Sequence, residues 1–164
     1  MKYSIRLFLL VFLLQPAWGQ TCSDESITRL SDEAELVFLG EVEVVGNSWG
    51  FWSGIAPNLQ KVQYKVIEVL KGQYSEAAIS VGHLVVKNSS TADNDKARLS
   101  PYLFAHGNLL IVFVKKMDKA DKNNFGDLGD DSYLSLDEHC GVISVKSKDS
   151  KTIRKIQRLN DQKQ

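Results

Sequence analysis

Neither sign of charge is in excess in this chain: 20 Lys and Arg stand against 20 Asp and Glu. A surface that grips nucleic acid through its phosphates needs a basic surplus to displace counterions, so nucleic acid is not an expected partner. Cysteine is scarce, and with 2 in 164 residues at most one intramolecular disulfide can form. Histidine is scarce too; His83, His106 and His139 are its only positions, and none stands at a recognised metal-ligand spacing. There is no phosphate loop and no dinucleotide fingerprint. Past the first residues no stretch is long and apolar enough to span a bilayer, which takes about 20 residues.

The N-terminus is what the chain does have. Lys2 and Arg6 precede the run Leu7-Phe8-Leu9-Leu10-Val11-Phe12-Leu13-Leu14, and Pro16 and the small-residue pattern Ala17-Trp18-Gly19 follow it. A basic start, a short apolar core and a small-residue cut site are the parts of a secretory signal peptide over residues 1–19, with cleavage between Gly19 and Gln20. The apolar run is too short for an anchor. Cys22 follows Gln20-Thr21 rather than a small residue, which does not suit a bacterial lipid anchor. The processed chain is therefore expected to be secreted or periplasmic, with no membrane attachment and as a monomer. Cleavage removes Lys2 and Arg6 and no acid, so 20 basic against 20 acidic becomes 18 against 20, a net charge of about −2. Residues 20–164 have the length of a single domain with one sizeable core.

In an oxidising compartment the two cysteines most simply mean a bond between Cys22 and Cys140; a free thiol or an intermolecular bond are the alternatives. Closing a loop of on the order of 100 residues is worth about 4.7 kcal/mol by loop-closure entropy, before any strain.

Residues 24–34 follow the capping types Ser23 and Asp24 and space Ile27, Leu30 and Ala34 by three and four, which predicts a short amphipathic helix. The first strand is expected from Leu36 to Val45, with Gly46-Asn47 as its stop and Gly40 as a bulge or bend. Residues 46–60 hold Trp49, Phe51 and Trp52 among glycines and a proline and are expected to form a loop. Those aromatics are either a stacking platform or a lid over the barrel, and burial is the commoner use of Trp in a small domain. Further strands are expected at residues 61–70, 78–86 and 109–114, the last apolar on both faces and so the most buried. A fifth either starts at or follows residues 132–136 and is completed by residues 140–145. Residues 115–131 read as a solvated excursion, and residues 150–159 as an amphipathic helix on Ile153, Ile156 and Leu159. Asn88-Ser89-Ser90 is an N-glycosylation sequon, relevant only in a eukaryotic secretory route. Five strands with terminal helices predict a mainly β fold, a small closed or partly closed barrel.

The carboxylates available for acid-base work, Asp24, Glu25, Asp32, Glu33 and Glu35 or Asp130, Asp131, Asp137 and Glu138, read as solvated faces and turns. The Asp and Asn residues near Asp127 lack the alternating order of a calcium loop. No enzyme, metal site or cofactor is expected.

Cys22 with a short helix after it, Glu35-Leu36-Val37-Phe38-Leu39-Gly40-Glu41-Val42, Tyr64-Lys65-Val66-Ile67-Glu68-Val69-Leu70-Lys71-Gly72, Gly107-Asn108-Leu109-Leu110-Ile111-Val112-Phe113 and Cys140-Gly141 together resemble the netrin-like modules related to tissue inhibitors of metalloproteinases. The resemblance spans most of residues 20–164. It implies a five-stranded, oligonucleotide/oligosaccharide-binding (OB) type Greek-key barrel with terminal helices. In the family's inhibitors the first mature residue is a cysteine whose α-amino and carbonyl groups chelate the protease zinc. Here Gln20 and Thr21 precede Cys22, Ser23-Asp24 replaces the inhibitors' C-x-C start, and one cysteine pair stands for several.

The expected function is that of an exported binding module with a protein partner. Inhibition of an extracellular metalloprotease through Cys22 and carbohydrate binding through the aromatic loop are the alternatives. The candidate partner-binding residues are Gln20, Thr21, Cys22 and Ser23 at one place and Trp49, Phe51 and Trp52 at another.

Overall fold

The computed structural model describes residues 22–49, 58–85, 101–119, 121, 132–136, 140–148 and 150–162. The elements in chain order are α1 (Asp24–Glu33), β1 (Leu36–Trp49), β2 (Asn58–Lys71), β3 (Ala78–Val85), a 3₁₀ turn (Pro101–Phe104), β4 (Leu109–Lys116), β5 (Tyr133–Ser135), β6 (Val142–Ser144) and α2 (Lys151–Asp161).

β1 pairs antiparallel with β2 on one edge and with β4 on the other; β2 pairs antiparallel with β3; β3 pairs parallel with β5, Val81 opposite Tyr133; and β5 returns antiparallel to β4. The order β1-β2-β3-β5-β4 thus closes back on β1, and no sheet edge is left along the closed part. This is the five-stranded OB-type Greek-key barrel, with one helix at each terminal side. The expected fifth strand is split. β5 lies against residues 114–116 of β4 and β6 against residues 110–112 of the same edge, with Cys140 and Gly141 between them.

Two apolar layers explain why β1 and β4 are apolar on both faces. Side chains alternate across a strand, so Leu36 and Phe38 of β1 and Leu110, Val112 and Val114 of β4 point into the barrel, where they meet Val62, Tyr64, Ile79 and Val81. Val37 and Leu39, with Ile111 and Phe113, point outward and are covered by Ile27 and Leu30 of α1 and Ile153 and Ile156 of α2. Each fully buried side chain of this size contributes about 1.5–3 kcal/mol. The register slips between Leu39 and Gly40, where a side chain would have no room: a Cβ on Gly40 would lie 2.8 Å from the Phe38 ring and 3.1 Å from the Tyr64 Cβ.

The helices are held by polar ties as well. The Ser23 hydroxyl accepts from the Ser26 amide and the Ser150 hydroxyl from the Ile153 amide, an N-cap on each helix. α1 has no basic residue in its last turn. Lys71, at the end of β2, takes that place: its ammonium donates to the carbonyls of Ser31 (2.6 Å), Asp32 (3.2 Å) and Ala34 (2.6 Å), where the helix dipole is negative. Gly72 lets the chain turn away with φ +85°, and a Cβ there would lie 2.5 Å from the Glu35 carbonyl oxygen. On α2, Asn160 donates to the Leu70 carbonyl and Lys155 forms an ion pair of 2.7 Å with Asp24 of α1.

Two expectations need correction. The strand does not stop at Gly46-Asn47 but continues to Trp49, and the partner strand begins at Asn58 rather than Lys61. The ladder passes this region with register shifts between Val42 and Val44 and between Val45 and Ser48, so the break is a pair of bulges within a longer hairpin. The 3₁₀ turn was not anticipated; it starts at Pro101 and sends Phe104 into the interior, 3% exposed.

Candidate functional site

Cys22 and Cys140 are bonded, with Cα atoms 5.8 Å apart and a separation of 118 positions in the chain. The bond joins the residue before the α1 N-cap to the residue before Gly141 and β6, so the start of the domain is tied to the outer face of the barrel. Cys140 is buried and Cys22 partly so, both within the helix-covered layer. A disulfide is in keeping with an oxidising compartment. Ser23 is exposed and its hydroxyl is committed to the cap. Gln20 and Thr21, the other members of the expected N-terminal site, lie outside the described residues.

Trp49 ends β1 at the far end of the β1/β2 hairpin. Trp49 stands opposite Leu59 in the ladder. Its side chain, Phe51 and Trp52 lie outside the described residues, as do Asn88 and His139. The described part of the hairpin has a property that the sequence reading overlooked. β1 pairs with β4 only as far as Glu41, and the last bonds on that side are Val42 N–H to the Asn108 carbonyl and Gly107 N–H to the Val42 carbonyl. Beyond that point the hairpin outruns β4, and among the described residues no strand lies on the outer edge of β1. Val44 and Val45 on this stretch are 54% and 40% exposed, the exposed large hydrophobic residues among those described. The clue was present: Val44-Val45 puts an apolar residue on each face of the strand, and both are exposed because neither face is covered there.

The two described histidines, His83 and His106, sit in different surroundings. His106 is exposed. His83 is fully buried in the barrel, its Nε2 2.8 Å from the Tyr64 hydroxyl, between the rings of Tyr64 and Phe104. Among the described residues its Nδ1 has no hydrogen-bond partner. Burial pushes the His83 imidazole from the ordinary 6.5 down to about 3 and raises the Tyr64 phenol well above 10.0, so both are neutral near pH 7. A pair sealed in this way braces the barrel interior against Phe38 and Phe104 and reaches no solvent.

The carboxylates of the first set are exposed: Asp24, Glu25, Asp32 and Glu33 lie along α1, with Arg29 pairing to Glu33, and Glu35 accepts from the Lys116 amide. Asp24, Glu25, Asp32 and Glu33 line a shallow open groove of about 580 Å³ together with Lys155. Among the described residues no group of three or more His, Cys, Asp or Glu is placed to hold a metal ion, and no helix is long and apolar enough to cross a membrane. In comparisons with known proteins, no family model matches the chain and no curated protein matches it.

Proposed function

We propose that the chain is an exported, non-catalytic interaction module of netrin-like type that engages a protein partner through the distal end of the β1/β2 hairpin. The observation behind this reading is the hairpin's outer edge, which carries exposed Val44 and Val45 past the last contact with β4. Such an edge can accept an added strand, whose main-chain bonds give affinity while the side chains on either side give specificity. The two bulges twist the edge and disfavour long flat pairing of one copy with another, which suits a monomer awaiting a different partner. Trp49, Phe51 and Trp52 belong to the same end of the hairpin in sequence and would extend the contact.

The test is crosslinking of the secreted chain in its own culture fluid, followed by mass spectrometry. The reading expects crosslinks to one partner at residues 43–49 that disappear in the Val44→Lys, Val45→Lys double variant while the fold is retained. Crosslinks that persist in that variant, or that map only to the other end of the barrel, would overturn it.

A second reading is supported by the Cys22–Cys140 bond, which holds the start of the domain against the barrel as a zinc-chelating N-terminus requires. Inhibition of a zinc endopeptidase by chains beginning at Cys22, and its loss in chains beginning at Gln20, would favour it. Equal inactivity of both would remove it.

A further inference from the structure

Two structures of unequal strength border the buried His83 ring. One is the β2/β3 ladder, which runs without a register shift from Asn58 opposite Val85 to Lys65 opposite Ala78 and sets Gln60 directly across from His83. The other is a single side chain of the 3₁₀ turn: the Phe104 ring lies 4.7 Å from the imidazole. Water reaches His83 through the ladder only if several strand bonds break, but past the turn if one aromatic anchor lifts. The turn is four residues long, and Ala105, His106 and Gly107 behind Phe104 are exposed. Short segments of this kind open locally at the lowest cost. Nothing around the ring favours a proton on it. Tyr64 of β2 is the titratable group in contact, while Tyr133 of β5 stands by Val81 and packs on Tyr74. Leu110 and Val112 of β4 face the interior and are apolar. Lys61 and Lys65 of β2 alternate with Val62 and Tyr64 and so lie on the outer face, as does Glu41 of β1 opposite Lys65. A proton on Nδ1 finds no acceptor among the described residues, and burial lowers the imidazole pKa from 6.5 to about 3.

We propose that acid opens the 3₁₀ turn, hydrating His83, and thereby loosens the hold of the β1 edge on its partner. The turn leads directly into the residues that fix the base of that edge. Asn108 donates to the carbonyls of Leu103 and Ala105, each at 3.0 Å; Gly107 N–H donates to the Val42 carbonyl at 2.9 Å, and Val42 N–H to the Asn108 carbonyl at 3.0 Å. Lifting Phe104 draws on these bonds and frees β1 on that side from Val42 instead of from Glu43. A strand that docks there then has to order the freed stretch on binding, which lowers affinity. In the opened form His83 regains its ordinary affinity for a proton and in the closed form it refuses one, so a fall from pH 7 to pH 5 multiplies the opened-to-closed ratio by roughly 25. The effect on the partner rests on the docking role given to the hairpin; the opening of the turn does not.

The test is amide hydrogen exchange of the whole chain at pH 7 and pH 5, each amide corrected for its intrinsic rate. We expect the amides of Val42, Gly107 and Asn108 to open roughly 25-fold more often at pH 5, and the helix amides of Ala34 and Arg154 to change less than about twofold. In His83→Gln, which has no proton to take up, the three turn amides should be indifferent to pH. Phe104→Ala gives a second readout by NMR: the His83 ring signal, stationary between pH 7 and pH 5 in the native chain, should move over that range once its cover is gone. Turn amides that ignore pH in the native chain, helix amides that accelerate as much as they do, or a His83 signal that stays fixed in Phe104→Ala would each overturn the opening. Crosslinking at residues 43–49, repeated at pH 5, tests the effect on the partner, with loss expected in the native chain and retention in His83→Gln. Crosslinks equal at both pH values would overturn that effect, and crosslinks absent at both would overturn the docking edge and the effect with it, while the exchange result decides the opening by itself.

Discussion

The two halves of β1 are built for different ends. From Leu36 to Leu39 every residue is buried, inward against the barrel core and outward under α1 and α2, and β4 and β2 occupy both edges. From Glu43 onward the same strand has β2 on one side, no described neighbour on the other, and two valines in solvent. The disulfide, both N-caps and the Lys71 cap all serve the first half. What differs is what covers the strand, since apolar residues run through both halves: Val37 and Leu39 gain a helical roof, and Val44 and Val45 do not. Stability is therefore concentrated at the helix-covered end, and the hairpin end is left uncovered among the described residues.

The comparison can be broken by mutation. Phe113 lies under both helices, fully buried, and Phe113→Ala should cost about 3–5 kcal/mol in urea denaturation; a loss below 1 kcal/mol would mean the outer layer is not a true core. Replacing Cys22 and Cys140 by Ser should cost about 2–5 kcal/mol under oxidising conditions, with native and variant chains converging once the native chain is reduced.

His83 sharpens the picture through pH. Its folded pKa is depressed to about 3 from 6.5, so between those values the unfolded chain binds a proton that the folded one refuses. The neutral-form contribution is fully present above pH 6.5 and is lost as the pH falls toward 3, at up to about 1.4 kcal/mol per unit. Between pH 7 and pH 5 the native chain should lose about 2 kcal/mol, a slope that His83→Gln should flatten in parallel denaturation series. Lys71→Met, which removes the cation from three α1 carbonyls, should cost about 1–2 kcal/mol and speed amide exchange in α1 ahead of the barrel. At the hairpin, Val44→Lys with Val45→Lys should change stability by no more than about 0.5 kcal/mol, because those side chains are already in water. A larger loss would place the hairpin within the folding core and undo the contrast.

Much of the barrel was readable in the residues. The alternation of Val62, Tyr64 and Val81 places strands, and the doubly apolar runs at Leu36-Leu39 and Leu109-Val114 identify the strands covered on both faces. The cap serines mark where both helices begin. The candidate site was read less well. Gly46-Asn47 looks like a stop because turn chemistry and a bulge use the same residue types, and only the continuing ladder to Trp49 distinguishes them. Gln20, Thr21, Phe51 and Trp52 lie outside the described residues, so the expectations placed on them are carried by the sequence alone.

The sequence by itself determined the strands, the helices, their buried faces and the one possible cysteine pair, because period, capping and turn chemistry act over a few neighbouring residues. Only the tertiary structure decided that β3 runs parallel to β5, that Lys71 closes a helix some 40 residues before it, that His83 is sealed beside Tyr64, and that β1 outruns β4 to leave Val44 and Val45 in solvent. Those outcomes depend on which distant segments close the barrel and what lies over each face, and no local propensity encodes either.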